Sequence, residues 1–442
     1  MVYLALSTLT LLFLGLIYAF SMFAAPMCMT FGLEKADVAL TFNIMMICFC
    51  FGATLGSQLE KIIGVKWNIV LSGALFFIGF VGTGMFAHEK LFVVYALYGV
   101  CAGAGVGMGY NTIAATTNQW FPDKVGFSSG VLMMGFGVSA LIIGNISVGF
   151  ISSIGLTTVF TVLGVATLAV SIVCAFVLRR PPADIVAIMV PERAGAGAKE
   201  DPADKDAALK TPTFYIYWIW AIIVIAIGLA TIGNCASDAQ MVGIDASTAT
   251  FLVGIVSTAN GLARVIMGMV YDKTNVKVTM LIDAIIAIAA TGFIFAAFTT
   301  NISAFYVAGA LCCGFCYGAV PVVAAAMARQ RFGSKNYPLN LSLANFAIVF
   351  GSLLNIAVQT AVGGSTQRMA VFGVMTVLAV VAAADVLPFS KMWNRDMKVL
   401  EEKRAALKAG KKNRSAADAA TGAHASCANV PDTPGAGSAG VE

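Results

Sequence analysis

Long apolar runs separated by short charged segments dominate the chain. Twelve runs lie near 2–30, 37–59, 67–87, 91–119, 125–153, 155–178, 213–237, 247–271, 277–299, 302–328, 337–362 and 367–389. Each approaches or exceeds the roughly 20 helical residues needed to cross a hydrocarbon core about 30 Å thick. The runs lack strict two-residue alternation and are rich in Leu, Ala, Gly and Met. That pattern belongs to helices packed in lipid, not to an outer-membrane barrel. The predicted fold class is an all-α membrane protein with twelve transmembrane helices. The first run begins at the initiator without a basic leader, so no cleavable signal peptide is expected.

A change of composition divides the chain. Arg179, Arg180, Pro181 and Pro182 open a charged stretch that ends at Thr211 and Pro212. Six runs precede this break and six follow it, which predicts a bundle over 1–178, a linker over 179–212, a second bundle over 213–389 and a tail over 390–442. Two echoes support duplication. Gly56-Ser-Gln-Leu-Glu60-Lys61 returns as Gly268-Met-Val-Tyr-Asp272-Lys273 at an offset of 212, and Phe121-Pro-Asp-Lys124 returns as Phe332-Gly-Ser-Lys335 at an offset of 211. Halves of equal orientation imply two pseudo-symmetric six-helix bundles. The Ala-, Gly-, Ser- and Pro-rich tail from about Asn413 lacks the apolar content to pack and is expected to be unstructured.

Charge sets the expected orientation. Hydrophobic residues make up 59% of the 442 and charged residues 11%, against roughly a quarter charged in a soluble domain. With Met1 inside, 23 of the 27 Lys and Arg fall in inside loops, linker and tail, and only Lys35, Lys90 and Arg368 fall outside. The positive-inside rule then places both termini in the cytoplasm and the chain in a cell inner (plasma) membrane. Anionic headgroups account for the net charge of +5, and no nucleic-acid partner is implied. A monomer is expected.

Cofactor chemistry finds little support. Cys312, Cys313 and Cys316 are the one cysteine cluster, with no fourth Cys or His nearby, so they read as packing residues and no metal site is predicted. His88 and His424 stand apart from them. The glycines of the fourth run, Gly99, Gly103, Gly105, Gly107 and Gly109, lie inside an apolar helix with no preceding strand. A dinucleotide site is therefore rejected in favour of close helix packing. No Walker A sequence occurs, so any pumping would need gradients or exchange. The chain is expected to be neither an enzyme nor a cofactor binder.

Two features point to transport. The loops after runs two and eight carry Glu60-Lys61 with Gly64 and Lys66, and Asp272-Lys273 with Lys277, and resemble the signature loop of the major facilitator superfamily. An acid at a helix end there can cap a helix or pair across the mouth, which makes Glu60, Lys61, Asp272 and Lys273 the candidate gating residues. Arg264 lies eight residues before Asp272, about 12 Å of helix rise into the membrane. A cation at that depth costs at least about 2.5–3.5 kcal/mol and calls for an anionic partner or a wet cavity. The partner is either a substrate or one of the acids within the spans, Asp283 or Asp385.

Gly103-Ala-Gly-Val-Gly107 with Tyr110, Trp120-Phe-Pro-Asp-Lys124 with Gly126, Leu209-Lys-Thr-Pro212, Arg264 and Asn336-Tyr337 together resemble the oxalate/formate exchanger family. The resemblance spans both halves and implies a major facilitator fold with alternating access. It also implies that Arg264 contacts a substrate carboxylate and that Tyr18, Tyr110 and Tyr317 line the cavity and donate hydrogen bonds. The family's second cationic position falls at Ala344, beside Asn345, and Met46, Phe136, Cys313 and Leu341 replace other polar or aromatic cavity positions. One arginine neutralises a monoanion but leaves a dianion with buried excess charge. The expected substrate is a small organic acid, a monocarboxylate of lactate, pyruvate or formate size. A proton-coupled carboxylate symporter using Asp283 or Asp385, and an oxalate:formate exchanger proper, are the alternatives.

Overall fold

The computed structural model describes residues 1–88, 90–121, 125–182, 202–205, 208–333, 337–363 and 367–426. In lipid every backbone N–H and C=O must find its partner within the protein, and a helix does so within one segment. Eleven helices among the described residues are long and apolar enough to cross a membrane. One of them, Lys35–Phe86, is broken at Gly64 (φ 79°, ψ 167°) and therefore supplies two spans, which makes twelve crossings. They are α1 (Val2–Phe31), α2 (35–63), α3 (65–86), α4 (Leu91–Asn118), α5 (Phe127–Ile154), α6 (Leu156–Val177) and α7 (Pro212–Ile232). The remainder are α8 (Ala246–Lys273), α9 (Val276–Thr300), α10 (Ser303–Phe332), α11 (Asn340–Ala361) and α12 (Arg368–Leu407). Twelve crossings bring both ends of the chain to one face, called here the terminal side.

Three local features differ from the pattern of apolar runs. Where a loop over 60–66 is expected, the helices continue and Gly64 alone reverses the chain. Asn68 Nδ2 accordingly donates to the Gly56 carbonyl 3.1 Å away. Gly155 (φ 78°, ψ 156°) makes the same one-residue turn between α5 and α6, a conformation that glycine adopts without steric cost. Second, α7 ends at Ile232, and Cys235–Met241 forms a separate short helix. Third, α12 continues as helix to Ser426, past the expected end of order near Asn413; the Ala abundant there is a good helix former. Most of the linker, Lys124, Lys335 and residues 427–442 lie outside the described residues.

The packing is pseudo-symmetric. In the first half α2 packs on α4, α3 on α6 and α1 on α5; in the second α8 packs on α10, α9 on α12 and α7 on α11. Advancing each helix by six converts one set into the other. The halves meet along two seams, α5 with α8 and α2 with α11, which exchange under the same operation. Small residues set these distances. A Cβ at Gly103 or Gly107 would overlap the Met45 or Phe49 carbonyl of α2, and one at Gly105 or Gly109 would strike Ser72 of α3. The glycine ladder of α4 is thus wedged between two helices. At the α5–α8 seam Gly137 and Gly261 face each other, and Ser257 Oγ donates to the Gly137 carbonyl at 2.7 Å.

Gly107→Ala is expected to destabilise the bundle by about 1–3 kcal/mol, because neither backbone can retreat from the added methyl. Gly149→Ala, whose Cβ would meet nothing within 4 Å, is the control. Thermal unfolding in detergent should show a lower midpoint for the first and an unchanged one for the second.

Candidate substrate-binding site

The site forms where both halves contribute to one point at mid-height. Arg264 projects from α8 at the seam, three residues past Gly261, and its Nη1 donates to the Tyr110 hydroxyl at 2.9 Å. Tyr110 follows the glycine ladder of α4, so the close packing of that ladder on α2 and α3 fixes where its ring stands. Tyr18 lies in a 3-10 stretch, Gly15–Ala19, within α1. A Cβ at Gly15 would collide with the Phe136 carbonyl of α5, so α1 and α5 touch there. The Tyr18 ring stands edge-on to Phe136 at 5.4 Å and to Tyr317 of α10 at 6.3 Å. Phe136 also packs on Tyr110 at 5.0 Å. Tyr110, Tyr18 and Tyr317 are all electrostatic neighbours of the Arg264 guanidinium. The four residues expected at the substrate therefore come together, two from each half.

Of the replaced cavity positions, Leu341 is half-buried and the others are buried. Met46, Phe136, Cys313 and Ala344 are each 1% exposed or less, which leaves Arg264 as the cation among them. Ala344 adjoins Asn345, whose carbonyl accepts from Cys50 Sγ of α2 at 3.8 Å, so this position lies at the second seam.

Arg264 makes no ion pair with a carboxylate among the described residues, and its buried Nε has no partner. The internal pair with Asp283 or Asp385 is not formed. Asp283 is buried in the second half with both oxygens unpartnered, and Asp385 Oδ2 is unpartnered as well. Arg368 shows what a charge-paired buried arginine looks like here, although its Nη1 has no partner either. The sequence places it in an outside loop; the structure buries it to 2% exposure. Its Nε and Nη2 clasp Asp238 at 2.8 and 2.6 Å, and Nη2 also reaches the Ala230 carbonyl at 2.8 Å. A charge at the edge of an apolar run resembles a flanking anchor, and its partner, 130 residues away, leaves no local signal.

The candidate gating residues are not gathered in one place. Glu60 pairs with Arg180 and accepts from Thr112 Oγ1 at 3.1 Å. Lys61 donates to Gln58 at 2.9 Å. Asp272 and Lys273 are exposed on the terminal side, with no ion pair among the described residues. In the second half Arg331 pairs with Asp396 at 3.3 Å, and Asp396 also accepts from Thr213 at 2.7 Å. Described hydrogen bonds between halves lie higher: Ser257 to Gly137, Cys50 to Asn345, and Asn355 Nδ2 to Asn43 Oδ1 at 3.0 Å. Gly233 also abuts Phe42 of the other half. The halves are thus fastened from mid-height to the side away from the termini. An apolar groove of about 660 Å³, lined by Leu9, Phe127, Val131, Met134 and Val265, runs along the lipid face of the α5–α8 seam and offers a charged solute no partner.

The Major Facilitator Superfamily model matches residues 7–234 and again 211–417. The chain belongs to that superfamily. This transporter is 27% identical over 401 residues to the oxalate:formate antiporter of Oxalobacter formigenes, covering 87% of this chain and 91% of that one. It is 23% identical to an uncharacterized MFS-type transporter of Escherichia coli, YhjX, over 77% and 82% of the two chains. A solved POT family transporter in complex with 5-aminolevulinic acid superposes with a TM-score of 0.67 at 11% identity, over 89% of this chain and 96% of that one. That likeness shows the fold alone. The sequence assigns this facilitator the all-α, twelve-span architecture, and the family match and the structure agree.

Buried Arg368 and half-buried Arg264 are expected to differ in stability tests. Asp238→Asn should lower stability by about 3–5 kcal/mol, because it strands a buried cation. Arg264→Gln should leave the unfolding midpoint unchanged or raise it, since no carboxylate partner is lost. Parallel thermal scans of the purified variants check both.

Proposed function

We propose that this facilitator is a secondary active transporter of small organic anions that prefers monocarboxylates, with Arg264 binding the carboxylate and the two halves rocking about it. The lone guanidinium at the seam, partnered only by a neutral phenol, carries this reading. A carboxylate there would gain a charge-assisted bond at Nε and hydrogen bonds from the Tyr18, Tyr110 and Tyr317 hydroxyls. The relationship to a protein named for oxalate and formate supports a carboxylate and exchange. Ala344, buried where the exchanger family carries its second cation, argues against a dianion, whose second charge would stay uncompensated in an apolar cavity. The unpartnered carboxyl of Asp283 leaves room for proton coupling in place of exchange; sensitivity of uptake to an uncoupler in substrate-loaded vesicles separates the two.

In proteoliposomes tested with a panel of carboxylates, Arg264→Gln is expected to abolish uptake without preventing insertion. Arg264→Lys should restore it at least about tenfold less well, because a point charge replaces the fork. Ala344→Lys should move preference towards dicarboxylates. Normal uptake by Arg264→Gln, or wild-type transport of oxalate as fast as any monocarboxylate, would overturn the proposal.

The terminal side is read as cytoplasmic from its cations, and Asp272 as part of a gate that pairs only when that mouth closes. Asp272→Asn should slow turnover more than it weakens binding. In a Cys-less background an impermeant maleimide should label Asp272→Cys in inside-out vesicles and not in right-side-out ones. Equal losses of binding and turnover would remove the gate, and the opposite labelling would invert the topology.

A further inference from the structure

Asn260 is 0% exposed, and neither its Nδ2 nor its Oδ1 has a hydrogen-bond partner. It lies four residues before Arg264 on α8, so the two side chains share one helix face. Its amide lies within side-chain reach of the Tyr18 hydroxyl but without the geometry of a made hydrogen bond, and Tyr18 adjoins Arg264. The Asn260 carbonyl is pressed against Gly318 of α10, where a Cβ would overlap it, so the helix carrying the amide cannot turn away. A buried primary amide with both functions idle costs free energy in the empty protein, and a ligand that engages it recovers that cost.

We infer that Asn260 is a second, neutral recognition group of this site, and that it selects 2-oxo and 2-hydroxy acids over plain aliphatic acids of the same size. The inference rests on the proposed binding of a carboxylate at Arg264. Tyr110 occupies Nη1 and Nε is vacant, so a carboxylate docks on the Nε edge of the fork. The substituent on the next carbon then lies within reach of the helix turn that bears Asn260. An amide suits both oxygen types, because Nδ2 donates to a keto oxygen and Oδ1 accepts from a hydroxyl. A methylene at that carbon does neither and leaves the amide unpaired, which is how a polar site rejects an analogue lacking one oxygen.

The test uses the full chain in liposomes loaded with pyruvate. Uptake of labelled pyruvate is competed with unlabelled pyruvate, L-lactate and propionate. Propionate should need at least about tenfold more for half-inhibition than either oxygenated acid, the factor expected for one buried hydrogen bond. Asn260→Leu, close in volume, should raise the half-inhibition concentrations of pyruvate and lactate to that of propionate and leave propionate unchanged. Asn260→Ser should keep part of the discrimination. Equal competition by propionate and lactate in the wild type overturns the inference without any variant, while leaving Arg264 as the carboxylate site. An equal loss for all three acids in Asn260→Leu also overturns it and makes Asn260 a packing residue. Absence of pyruvate uptake overturns this inference, while the carboxylate panel decides separately on Arg264.

Discussion

A guanidinium held at mid-membrane without a carboxylate of its own organises this molecule. Burying a cation is costly, and proteins normally offset the cost with an anion, as Arg368 does with Asp238 in the same half. Arg264 has instead a phenol from the other half and an open Nε. The charge is tolerated because α8 is anchored on both flanks, by Gly137 of α5 and by Gly318 of α10, so the side chain cannot escape towards water without disturbing a seam. In the proposed function this unpaired charge is what an anionic substrate would meet.

The same seam has to move. Backbones that touch through Gly137 and Gly261 can slide and tilt without long side chains interlocking, and fastening above mid-height leaves the terminal side freer. On that side the described residues include the pairs Glu60 with Arg180, at the start of the linker, and Arg331 with Asp396. Rigid-body rocking needs each bundle to be braced internally. The exchange of the α5–α8 and α2–α11 seams under the internal repeat gives the two halves equivalent surfaces on which to pivot.

Membership of the superfamily explains the scaffold and leaves the chemistry to a few positions, since one fold hosts many substrates. Identity to the oxalate:formate antiporter is 27%, and around Arg264 this chain sets buried apolar residues at Ala344, Met46 and Phe136.

Local periodicity by itself determined the spans, their number, the duplication and the depth of Arg264, because lipid demands long apolar helices and makes any charge inside them conspicuous. A resemblance carried by motifs in both halves, not periodicity, singled out Tyr18, Tyr110 and Tyr317, which the fold gathers near Arg264. Tertiary structure decided the partners. Arg368 reads as a loop anchor until Asp238 is folded against it, and only the fold shows that Glu60 pairs with Arg180. The turns at Gly64 and Gly155 also emerge only in the fold, since apolar runs do not reveal that one glycine can replace a loop. Asn260 was visible four residues before Arg264, yet an asparagine in a helix says nothing of whether its amide is satisfied. That depends on which helices surround it, a property of packing between segments far apart in the chain.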